Sequence, residues 1–179
     1  MPTFPPQTVP LVTNPTKFIS INGNTQFTEV SLEVAQVRIT SAQLLALHTT
    51  AVAIVPSTAS VPNVLGTPNF INSNETIWLY DIMLKYNFGT VAYTTTGGTL
   101  RLFYGLPANA HPATADVSAG LINATASRIT GYIPFLINGP DTFANMTGQG
   151  IYLFNDGSAN YTLGDGVLDV TVVYGRCTP

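Results

Sequence analysis

The chain reads as an all-β protein: an antiparallel β-sandwich of jelly-roll type, with one or two short helices and an extended N-terminal arm. Three observations predict it. Short runs of alternating apolar and polar residues recur along the chain, separated by Gly, Pro and Asn turns. One stretch, around 41–47, is made of good helix formers. No repeat of fixed period is present, which argues against a solenoid or propeller. The 179 residues suffice for one domain with a sizeable core. The expected division is an arm over 1–18 and a single sandwich domain over 19–179.

The arm holds five of the 13 prolines, at Pro2, Pro5, Pro6, Pro10 and Pro15. Proline fixes φ and removes a donor, so this segment is excluded from helix and from a central strand. An extended, polyproline-like arm is expected, with little entropy to lose on docking. Its apolar residues Phe4, Val9, Leu11, Val12 and Phe18 are the candidate contacts with a neighbouring subunit.

"FISINGNTQF" follows, with a hairpin turn at Asn22-Gly23. In "VSLEVAQVRI" the apolar alternation of Val30, Leu32 and Val34 changes phase to Val37 and Ile39, which predicts a β-bulge. Next comes "TSAQLLALH", with Thr40 or Ser41 as cap and a short helical clasp. The clasp is too short to stand alone, so Leu44, Leu45 and Leu47 are expected to hold it by core contacts. "AVAIV" resumes a buried strand up to Pro56. The stretch 76–88, "TIWLYDIMLKYNF", is the longest strand, with Ile82, Leu84, Tyr86 and Phe88 on one face. "TLRLFYG" follows the Gly97-Gly98 turn. The stretch 106–117 reads as a surface loop, and "SAGLINATA" as a second short helix. "SRITGYIPFLI" and "GIYLFN" read as strands. In "GDGVLDVTVVYG", Leu168, Val170, Val172 and Tyr174 face one way, and Val167, Asp169, Thr171 and Val173 the other.

Charged residues make up only 8% of the chain, against about 25% in an ordinary soluble domain. Lys17 and Lys85 are the only lysines. Lysine commonly guards exposed strand edges, so edges covered or paired by partners are expected. The net charge of −3 and the scattered cations exclude a phosphate-binding field, hence no nucleic-acid partner. No run reaches membrane-spanning length, and the N-terminus lacks the charged and apolar regions of a secretory signal. Cys177 is the single cysteine, too isolated for an intrachain disulfide or a metal cluster.

No catalytic residue, metal site or cofactor is predicted. The G-x-S-x-G elbow and the phosphate-cradling glycine loops are missing. His48 reads as a cation near a helix C-terminus and His111 as a solvated loop residue. Asp156, Asp165 and Asp169 lie near glycines, but Asp-Gly pairs are ordinary turn formers and the EF-hand pattern is absent. The sequons at Asn74, Asn123, Asn145 and Asn160 fit chance in a chain rich in Asn and Thr. The 8 Tyr, 9 Phe and lone Trp78 are expected to fill the core of the sandwich.

Three blocks together carry a resemblance. "ITSAQLLALHTTAVAIVP", 39–56, resembles the opening of small proteins encoded by tailed bacteriophages and prophages. "LKYNFGTVAYTTTGGTLRLFYG", 84–105, is similar to their second block. "GDGVLDVTVVY", 164–174, resembles their closing strand. The blocks cover about a third of the chain. "PSTASVPNVLGTP" departs from the pattern, and the arm lies outside it. The resemblance implies a virion structural protein that decorates and cements the outer surface of the assembled head. It implies the major capsid protein and other copies of itself, in a homotrimer, as partners. Its place would be the virion surface, after assembly in the host cytoplasm. A tail-fibre or receptor-binding, glycan-binding module of the virion is the alternative, and a polysaccharide-cleaving enzyme is least favoured.

Overall fold

In a computed structural model of the chain, residues 32–57, 73–106, 111–118, 120–132, 134 and 146–177 are described. The predicted arm, the Asn22-Gly23 hairpin and the 58–68 departure lie outside them. Eight strands and one helix follow in order: β1 (Leu32–Ile39), α1 (Ser41–Ala46), β2 (Val52–Val55), β3 (Thr76–Asn87), β4 (Arg101–Tyr104), β5 (His111–Pro112), β6 (Arg128–Tyr132), β7 (Ile151–Phe154) and β8 (Val167–Cys177).

The strands form two four-stranded sheets, ordered β1-β8-β3-β6 and β2-β7-β4-β5. All the pairings are antiparallel: β1 with β8, β2 with β7, β3 with β6 and β4 with β5. First pairs with last and each next strand with the next from the end. A long hairpin ribbon rolled on itself has this connectivity, which is the jelly roll. The links β8–β3 and β7–β4 close the two sheets.

Period-two patterning explains which face is inside. Ile82, Leu84 and Tyr86 of β3 and Leu168, Val170, Val172 and Tyr174 of β8 are all fully buried. Ala35, Val37 and Ile39 complete the first sheet's inner face, and Ile54, Leu102, Ile151 and Leu153 come from the second. Burying side chains of this size contributes roughly 1.5–3 kcal/mol each relative to exposure.

The clasp forms as expected at one end of the sandwich. Thr40 caps α1: its Oγ1 accepts from Gln43 N at 3.3 Å, and Gln43 Oε1 accepts from Thr40 N at 2.9 Å. Leu44 and Leu47 are fully buried, while Leu45 packs half-buried against the core.

Several expectations are corrected. β1 has no bulge, because its register with β8 runs unbroken from Leu32 to Ile39. The phase change has another cause: Leu32 and Val34 point out of the sandwich, and the inward set begins at Ala35. Bulges occur instead in β3 between Leu79 and Asp81 and in β2 between Ala53 and Val55. The 106–117 stretch is more than a surface loop. It supplies β5, and Ala113, Thr114 and Val117 are buried. The described part of "SAGLINATA" turns without forming a helix, held where Gly120 N donates to Asn123 Oδ1 at 2.9 Å. Its glycine takes φ +72°, outside helical geometry.

Candidate interaction surface

The residues singled out for chemistry do not converge. Asp156 accepts from Thr99 and Arg101. Asp165 accepts from the backbone of Thr90 and Val91, and Asp169 from Arg38 and Asn87. Each carboxylate ties a turn or a strand pair, and the last two are held below the usual carboxylate range. Hydrogen bonds from the Thr90 hydroxyl and the Val91 and Thr90 amides do this for Asp165. The Arg38 hydrogen bond and then Asn87 do it for Asp169. His48 directly follows Leu47, the C-cap of α1. Its Nδ1 lies 3.1 Å from Asn155 O, on the loop after β7. His111 is half-buried in β5 rather than a solvated loop residue. Among the described residues no three His, Cys, Asp or Glu side chains group as metal ligands. No described helix is long and apolar enough to cross a membrane.

The motif residues at 84–105 and 164–174 meet at the clasp end. Tyr93 Oη donates to Gly166 O at 2.7 Å, and the Tyr93 ring lies 6.3 Å from Tyr86 and 6.4 Å from Tyr161. Burial pushes the Tyr93 and Tyr161 hydroxyls far above the usual phenol range, so both stay neutral. These residues join the loop after β3 to the loop before β8, over the end of β3. Sequence reasoning missed Asn155, which is fully buried. Its N donates to Leu47 O at 3.3 Å, its Oδ1 accepts from Thr99 and Gly157, and its Nδ2 donates to Ala159 O. A lone Asn in a loop carries no spacing signal that could have revealed it.

The outward face of the first sheet is the distinctive surface. Register places Leu32, Gly175 and Trp78 in one row across β1, β8 and β3, and Val34, Val173 and Asp81 in the next. Gln36, Thr171 and Met83 follow, then Arg38, Asp169, Lys85 and Ile129. One end is therefore apolar and the other polar. At the apolar end Val34 is 60%, Trp78 51%, Leu32 45%, Tyr80 42% and Met83 40% exposed. Trp78 thus sits outside, which overturns its expected place in the core. The β3 bulge leaves Tyr80 outside the pairing, and Tyr80 and Asp81 are both exposed. At the polar end Arg38 Nε and Nη2 donate to the two Asp169 carboxylate oxygens at 2.7 and 3.1 Å.

The second sheet contrasts with this. Phe103 and Tyr152 face each other across β4 and β7 and are both buried, with Phe154 edge-on to Phe103 at 6.2 Å. Monomeric proteins rarely expose contiguous apolar area of the kind seen on the first sheet, and such patches mark interaction sites.

No family model and no curated protein sequence matches the chain. Among solved structures, a chain of the cyanophage Pam1 capsid asymmetric unit is similar at 12% identity and a TM-score of 0.42, covering 93% of this chain and 98% of that one. A chain of the KBV activated particle at acidic pH is 9% identical at a TM-score of 0.29, covering 100% and 85%. A chain of deformed wing virus, a honeybee pathogen, is 10% identical at 0.21, and this chain spans only 56% of its length. The jelly-roll assignment rests on the strand pairing itself.

Proposed function

We propose that this chain is a virion structural protein that binds the outer surface of an assembled bacteriophage head and stabilises it as a decoration, or cement, protein. The observation that carries an assembly role is the apolar end of the first sheet, exposed on a chain with 8% charged residues. The three phage-like sequence blocks support the virion setting. Two of them meet in hydrogen-bonded turns that shape the sandwich, as an architectural protein requires. A cement protein stabilises by mass action, because it binds the assembled lattice and not its dissociated parts. The partners in this reading are the major capsid protein and two further copies of the chain. Residues 1–18 form an arm that reaches a neighbour. No catalytic residue or cofactor is invoked.

One observation favours a second reading. Trp78 and Tyr80 present two aromatic side chains outward, and stacked aromatics are a platform for sugars in a tail-fibre or receptor-binding module. The test is sedimentation of the purified protein with undecorated heads and, separately, with tail structures and host glycans. Saturable binding to heads, with raised thermal stability of the particle, is the expected result. Binding to glycans or tails alone would sink the decoration role.

A further inference from the structure

We propose that the apolar end of the first sheet's outward face is the receptor for residues 1–18 of a neighbouring copy. The inference rests on the assembly reading and names the surface that the arm would occupy.

Leu32 lies at the edge of this patch, in the same row as Trp78. It pairs with Gly175, and beyond that pair β8 offers only Arg176 and Cys177 among the described residues. Thirty-one residues precede Leu32. Fully extended, they reach up to about 100 Å. The longest strand of the sandwich has 12 residues, or about 40 Å. A segment of that length is long enough to reach beyond its own subunit.

The arm and the patch are chemically complementary. Residues 1–18 contain five prolines, no acid and one base, Lys17. Extended proline-rich segments dock against exposed aromatic rings, since proline stacks on them without losing much chain entropy. Trp78 and Tyr80 offer two such rings, flanked by Val34, Val173 and Met83. Asp81 is exposed among them, accepts only the Ile82 N–H among the described hydrogen bonds, and carries the sign of charge that suits Lys17. The arm would gain little at the other end of the face, where Arg38 and Asp169 are already paired.

The chain has a built-in reporter. Trp78 is the only tryptophan, and it lies in the proposed receptor. Its emission and its quenching by acrylamide are measured on the isolated full-length protein over a range of concentrations, with no particle present. Protection of Trp78 should appear as concentration rises. The variant Phe4→Ser/Leu11→Ser/Val12→Ser should leave Trp78 open at every concentration. Tyr80→Ser, which keeps the reporter, should shift half-protection to about tenfold higher concentration, as for a moderate hot spot. Protection that does not vary with concentration would place each chain's own arm on the patch and overturn the proposal. Protection retained in the arm variant would mean that another surface covers Trp78, and no protection at all would mean that the arm docks elsewhere. Because no head is involved, failed head binding with this pattern intact would count against the decoration role alone.

Discussion

Asp165 clamps Thr90. One carboxylate oxygen accepts the Thr90 N–H at 2.7 Å and the Val91 N–H at 2.9 Å, while the other accepts the Thr90 hydroxyl at 2.6 Å. The turn before β8 is thus fastened to the turn after β3, two segments that sequence separates by some 75 residues.

Asp165→Asn removes the charge and puts an amide where two donors converge. The amides of Thr90 and Val91 should then exchange with solvent faster, while the strand amides of β3 and β8 stay slow. Hydrogen exchange by NMR reads this residue by residue. The pH dependence has a definite sign. Folding depresses the Asp165 pKa, so its contribution is present above the ordinary carboxylate value of about 3.9 and is lost as pH falls through the depressed one. The two proteins should differ at neutral pH and converge in strong acid. Equal exchange at Thr90 in both proteins at pH 7 would show the clamp to be idle.

The clasp makes a second prediction. Leu44→Ala and Leu47→Ala each empty a fully buried site, so each should cost about 2–5 kcal/mol in denaturant unfolding. Leu45→Ala, at a half-buried site, should cost less. Thr40→Ala loses the cap and should cost about 1 kcal/mol. If Leu45 proved the most sensitive of the three leucines, the helix would be facing the other way.

Gly164 supplies a third. It adopts φ +82°, and a Cβ there would collide with the ring of Tyr93. Backbone strain and the clash with a buried aromatic act together, so Gly164→Ala should destabilise by about 2 kcal/mol or more. Near-UV circular dichroism should show the tyrosine environment disturbed. A neutral effect would mean that the Tyr93 ring swings aside freely.

Much of this fold was legible in the alternation of β3 and β8, because both strands have one buried face and side chains on a strand alternate faces every residue. The clasp was legible too, since a cap followed by unbranched helix formers is a local signal. Legibility failed where outward positions are also apolar. Alternation alone counts Leu32 and Val34 with one apolar face, and the phase change after them then reads as a bulge in β1. Trp78 lies in a strand and not in a loop, so it reads as core. A sheet that is apolar on both faces has no contrast for periodicity to detect, and only the register with β8 decides which residues face out. The interaction surface was hidden for that reason. Asn155 was hidden for another, because its partners come from α1, the 97–99 turn and its own loop.

His48 and His111 provide a test of the non-enzymatic role. His48 contacts Asn155 O and His111 sits in a two-residue strand. His48→Ala and His111→Ala should leave binding to heads within about twofold of the parent chain, read by co-sedimentation. A hydrolytic activity that disappears in either variant would overturn that view.

Removal of residues 1–18 separates fold from attachment. Among the described residues the strands begin at Leu32 and the buried core at Ala35. Loss of the arm should therefore leave the near-UV spectrum and the unfolding midpoint close to those of the full chain. Attachment is different. The arm carries Phe4, Val9, Leu11, Val12 and Phe18, and docked apolar area contributes roughly 25 cal/mol per Å² before ordering costs offset part of it. A moderate net contribution of about 1.4 kcal/mol weakens each copy's hold about tenfold. Occupancy on purified heads at matched protein concentration should fall accordingly, most visibly near half-saturation. Unchanged occupancy would show that the arm is not an anchor, and a collapsed spectrum would show that the sandwich requires it.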